Sequence, residues 1–137
     1  AQGDQMKLLL DTNVLIHREA GRVVRADIGT VFRWMDRLRY EKCVHPASIG
    51  EIRKHKDPNV VRAFEAKLQS YSLLRTLAQD TAGISALRQN DKTENDRIDT
   101  GLLAELAGKR VDAILTEDRG IHSKAARLGL SARVFTI

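Results

Sequence analysis

Short apolar runs alternating with helix-periodic stretches constrain this chain more than any other feature. Residues 7–10, 42–45, 73–74, 111–115 and 133–136 read as strands. Between them apolar residues recur at helical spacing. Ile28, Val31, Phe32, Met35 and Leu38 follow a cap at Asp27; Val60, Val61, Phe64 and Leu68 follow Asp57-Pro58; Ile84 and Leu87 follow a cap at Asp80. A short helix from Ala47 to about Lys54, beyond Pro46, carries Glu51 with Ile49 and Ile52 turned inward. A helix over residues 96–107 is closed by Gly108, and another over 119–128 by Gly129. Residues 89–95 are polar and read as a mobile loop, and Arg18, Arg22 and Arg25 read as a basic loop after the first strand. Strands separated by helices imply an α/β domain around a central, mainly parallel sheet.

Composition narrows the function classes. Aromatic residues make up 4% of the chain, too few for a recognition sheet that stacks bases. The one cysteine, Cys43, excludes a disulfide framework and a cysteine zinc site, and reads as a small buried residue compatible with a reducing cytoplasm. No apolar run approaches the roughly 20 residues that span a bilayer, so no membrane partner is expected. The net charge of +5 suits an anionic partner such as nucleic acid. Residues 1–5 read as a remnant or linker, and residues 6–137 as a single domain excised from a longer protein.

Against this basic background, acids occur where strands or their loops meet helices. Asp11 ends the first strand, Glu51 sits in HPASIGEI, Asp99 in NDRIDTGLLAEL and Asp118 in AILTEDRGI. Sites on parallel sheets form beyond the carboxyl ends of the strands, which is where Asp11 and Asp118 fall. Each acid also has a local role open to it: Asp11 in the turn, Asp118 as a helix cap, Asp96 and Asp99 as a cap and its partner. As a group they make a different demand. Two carboxylates at about 4 Å repel by roughly 4 kcal/mol at an effective dielectric near 20, so a cluster must take up protons or cations. Oxygen donors without Cys or His point to Mg²⁺ or Mn²⁺, which can activate water against phosphorus.

Competing arrangements are missing. The histidines, His17, His45, His55 and His122, have no metal-ligand spacing, and neither a glycine-rich phosphate loop nor a G-x-S-x-G elbow occurs. A phosphoaspartate hydrolase would place a second Asp two residues after the first, where this chain has Asn13.

With those motifs in order, the chain resembles the PIN-domain nucleases from Leu8 to Ile137. The likeness rests on D-T-N-V-L-I at Asp11, a Glu opening a helix at Glu51, an acid opening the Leu/Ala-rich helix at Asp99, and T-x-D at Thr116 to Asp118. The resemblance implies a three-layer α/β/α sandwich and a metal-dependent ribonuclease, with single-stranded RNA ahead of DNA as substrate. It further implies that Asp11, Glu51, Asp99 and Asp118 bind Mg²⁺ or Mn²⁺, with Asp96 as a further ligand one turn before Asp99. Asn13 and Thr116 would orient them. Arg53, Lys54, His55 and Lys56, with Arg119 beside Asp118, would grip phosphates or else form a solvated face. A fused domain in the parent protein and a homodimer are compatible partners. The alternatives are a catalytically inactive module of the same fold that binds nucleic acid or protein, and, behind it, a small-molecule phosphatase.

Overall fold

The structure is a computed structural model that describes residues 6–19, 26–75 and 77–136, the side chains of 17–19 and 26–29 excepted. Five strands, β1 (Lys7–Leu10), β2 (Glu41–Val44), β3 (Ser72–Leu73), β4 (Ala113–Leu115) and β5 (Val134–Phe135), form one sheet in the order β3-β2-β1-β4-β5. Every pairing is parallel. The helices are α1 (Thr12–Glu19), α2 (Ala26–Arg37), α3 (Pro46–Arg53), α4 (Pro58–Lys67), α5 (Ala82–Asn90), α6 (Glu94–Ala107) and α7 (Arg119–Arg127).

Side-chain alternation along the strands divides the core in two, because successive residues face opposite sides of a sheet. Leu8, Leu10, Val44 and Leu115 pack under α1 to α4 with Leu15, Met35, Ile52 and Phe64. Leu9, Cys43 and Ile114 pack under α5 to α7 with Ile84, Leu102, Leu103 and Ile121. The result is the α/β/α sandwich expected from the sequence. Cys43 is buried, and burial, followed by the Glu41 charge, pushes its thiol up to about 12, leaving it inert.

Several local expectations need correction. The segment after Asp11 is not a turn into a basic loop but helix α1, which includes Arg18; Arg22 and Arg25 lie outside the described residues. Asp27 is inside α2 rather than at its cap. Pro46 is the first residue of α3, capped by His45, whose ring accepts the Ala47 N–H. Thr81, not Asp80, caps α5, because Asp80 pairs with Arg88 at 2.6 Å. The polar stretch 89–95 is mostly helical, with only three residues between α5 and α6. Gly108 does cap α6 as expected, but its φ of −78 is not the left-handed conformation. That conformation belongs to Lys109 (φ 60), and the Arg110 N–H closes onto the Glu105 carbonyl at 3.0 Å. Gly129 (φ 71) does end α7 as expected.

A surface groove of about 290 Å³, lined by Met6, Trp34, Tyr40, Leu115 and Phe135, among others, exposes apolar area where α2 leaves β4 and β5 uncovered. Its walls come from segments far apart in the chain, so no periodic stripe in the sequence announces it. No helix is long and apolar enough to cross a membrane among the described residues.

Candidate active site

Strand register builds the centre of the site. Leu10 faces Leu115 in the ladder, and the next step bonds the Asp11 N–H to the Leu115 carbonyl at 3.1 Å. Asp11 and Thr116 therefore emerge side by side, and the Thr116 hydroxyl donates to Asp11 Oδ2 at 2.7 Å. Asp11 Oδ1 takes the backbone N–H of Thr12 at 2.7 Å. The Thr12 hydroxyl in turn donates to Glu51 Oε1 at 2.5 Å, tying α1 to α3. Thr116 Oγ1 also accepts the Asp118 N–H at 3.0 Å, and Asp118 Oδ1 caps α7 through the Gly120 N–H at 2.7 Å. The chain passes close here: a Cβ on Gly120 would stand 3.0 Å from Asp118 Oδ1 and 3.6 Å from Asp99 Oδ2.

Asp99 reaches this group from the second turn of α6. It is buried, and accepts no hydrogen bond among the described residues. Burial first, then the charges of Asp118 and Asp11, push its carboxyl up to about 7; Lys124 opposes them and Glu51 adds to them. Asp11 is also raised, by burial above all, although its bonds from Thr116 and Thr12 pull the other way. The four acids thus feel one another's charge at the carboxyl edge of the sheet.

The remaining sequence candidates sit differently. Asp96 does not turn toward Asp99. It is the partner of Thr93 in a capping box, accepts the N–H groups of Lys92 and Thr93, and is held below the usual carboxylate range by those bonds. The capping box expected at Asp96 and Asp99 is therefore one turn earlier, at Thr93 and Asp96. Asn13 is exposed with no bond to an acid among the described residues; its neighbour Thr12 does the orienting. Arg53 is exposed and paired with Glu65 at 2.6 Å. Lys54, Lys56 and Arg119 are exposed, and Lys54 lines a groove of about 450 Å³ with Glu51, Thr93, Glu94, Asn95 and Ile98.

Sequence reasoning missed three supporting residues. Thr12 lies inside the D-T-N motif, which was its only signal. His122, one turn after Asp118, places Nε2 3.1 Å from the Thr116 carbonyl. Lys124 reaches from α7 to Asp91 (3.1 Å), the Asp96 carbonyl (2.9 Å) and the Thr100 hydroxyl (3.0 Å), and so locks α7 to the start of α6.

The donor set fits a hard divalent cation in kind. It offers oxygen alone, formal negative charge in excess, and carboxyls whose raised pKa values a nearby cation would bring down. It is not a closed cage: among the described residues no three His, Cys, Asp or Glu side chains converge tightly enough to enclose an ion.

No family model matches the sequence, and no curated protein matches it. Solved structures do share its fold. One is the crystal structure of VapBC2 from Rickettsia felis bound to a DNA fragment from their promoter, with a TM-score of 0.63 at 8% identity over 96% of this chain and 99% of that chain. At that identity the likeness speaks for the backbone alone. The all-parallel 3-2-1-4-5 sheet between two helical layers matches the PIN-like fold. The resemblance read from the sequence thus holds at the level of architecture: the chain has a PIN-like fold.

Proposed function

We propose that the protein is a metal-dependent ribonuclease that hydrolyses phosphodiester bonds in single-stranded RNA. The observation that carries this reading is the gathering of Asp11, Glu51, Asp99 and Asp118 at the carboxyl edge of the sheet, where burial, and after it the charges of the other acids, push Asp99 up to about 7. These four would hold Mg²⁺ or Mn²⁺. Such an ion, when bound, supplies a nucleophilic water near neutral pH and neutralises charge on the phosphate. Thr116 and Thr12 keep Asp11 and Glu51 in place, and the Gly120 N–H fixes one oxygen of Asp118. Lys54 faces the groove beside Glu51 and would bind a phosphate of the substrate, as would Lys56 and Arg119 from the surrounding surface.

The test is cleavage of an end-labelled single-stranded RNA in Mg²⁺ or Mn²⁺, wild type beside Asp11→Asn, with an EDTA control. Cutting by wild type only, and only with metal, supports the nuclease; equal cutting by a clean Asp11→Asn preparation would sink it. A second reading, a module that binds nucleic acid or protein without turnover, draws on the open arrangement of the acids. It predicts no cleavage and no measurable affinity for Mn²⁺.

A further inference from the structure

The carboxyl edge of the sheet carries a second cavity, about 210 Å³, where the end of β2, Leu77 and α6 meet. It adjoins the groove beside Glu51, because Glu94 and Ile98 line both. His45 supplies its polar end. The His45 Nδ1 accepts the Ala47 N–H at 3.0 Å, so the ring proton resides on Nε2. That nitrogen stands 3.7 Å from where a Cβ on Gly101 would be. Burial, with the Arg88 charge behind it, holds His45 down to about 4, so the ring is a neutral donor.

The other charges in the cavity are balanced or engaged. Arg88 is held by Asp80 at 2.6 Å. The buried Glu105 carboxylate accepts the Ala78 N–H at 2.7 Å and faces Arg110 at 3.2 Å. Arg97 is exposed and forms no ion pair among the described residues, while Glu94 offsets its charge. Such a balance suits a neutral ring better than a phosphate. The volume is below the roughly 300 Å³ at which pockets for drug-sized ligands begin, which leaves room for one ring system.

We propose that this cavity is a nucleobase subsite, in which a purine of the bound strand lies against Ile98 and the Arg97 guanidinium and accepts a hydrogen bond from His45 Nε2. A planar guanidinium stacks on a base, and the exposed N7 edge of a purine offers an acceptor to a single N–H donor. Gly101 keeps the space open. The subsite rests on the ribonuclease reading and gives it a base preference.

Adenosine and guanosine, with ribose 5-phosphate as control, are titrated into the full chain without metal and followed by NMR. The two nucleosides are expected to shift the His45 ring and Gly101 amide signals saturably, and ribose 5-phosphate to leave them in place. Gly101→Ala puts a methyl group in the cavity while replacing a glycine inside a helix; it should keep or raise Tm and weaken nucleoside binding at least tenfold. Arg97→Ala, at an exposed position, should weaken it too. Absence of nucleoside shifts, or unchanged affinity in both variants, overturns the subsite. Cleavage of random-sequence RNA separates the two readings. A purine preference at one fixed position from the cut, flattened in Gly101→Ala, supports both. Cleavage without preference and without nucleoside binding removes the subsite and leaves the nuclease. Nucleoside binding without cleavage does the reverse.

Discussion

Asp99 is where function and stability oppose each other. Its carboxyl titrates at about 7 in the fold against a reference of 3.8, because burial and the neighbouring acids disfavour its charge. Between those values the folded state holds a proton that the unfolded state has released. Stability therefore falls as pH rises across that window, the reverse of the usual carboxylate case. Asp99→Asn should raise stability without metal at pH 8 by about 1–2 kcal/mol, after allowance for solvent screening, and change little at pH 4. Thermal melts of both proteins at the two pH values check this; equal melting at pH 8 would mean that the acids do not strain the fold. The same protonation makes Mn²⁺ compete with protons at Asp99, so affinity should climb between pH 6 and 8.

Elements meet at this site through a few long side chains and tight helix ends. Lys124 holds Oδ1 of Asp91, whose side chain is nearly fully buried and whose Oδ2 has no hydrogen-bond partner among the described residues. Lys124→Met would strand that charge, and a destabilisation of about 3 kcal/mol in urea melts is expected, with lowered cleavage because α7 carries Asp118. A change under ~1 kcal/mol would mean that Asp91 finds water instead. At the far end of α6, Lys109 occupies the left-handed region that a side chain resists. Lys109→Gly should stabilise by about 1 kcal/mol, provided the chain closes the helix in the same way; a lower melting midpoint would contradict the strain argument.

At the scale of the whole molecule, a net charge of +5 surrounds a concentrated acidic edge. The basic surface would hold RNA while the acids address the cut. Wild-type affinity for single-stranded RNA should then fall steeply between roughly 50 and 200 mM salt. Replacing Lys54 and Lys56 by Gln should flatten the log–log slope by about 0.7 for each phosphate that a lysine no longer neutralises, as read by fluorescence anisotropy. An unchanged slope would mark both lysines as solvated surface.

Much of this architecture is local information. Short apolar runs alternating with helix-periodic stretches mark buried strands of a parallel sheet, because burial on both faces and helical crossovers each leave a pattern in neighbouring residues. Asp57, Asp118 and Gly129 could be read in the same way as helix ends. Cap choice was less legible: Thr81 won over Asp80, and Thr93 over Asp96, because Arg88 and the Lys92 and Thr93 N–H groups engaged the acids first. Residue type also marked out Asp11, Glu51, Asp99 and Asp118 as a potential cluster. What only the tertiary structure decided is which groups touch. The β1–β4 register sets Asp11 against Thr116, the α1–α3 packing brings Thr12 to Glu51, and the meeting of β2 with α6 opens the space between His45 and Gly101. These pairs join residues tens to more than a hundred positions apart. Their geometry depends on register and on how two helical layers pack against one sheet, and no local pattern of side chains records either.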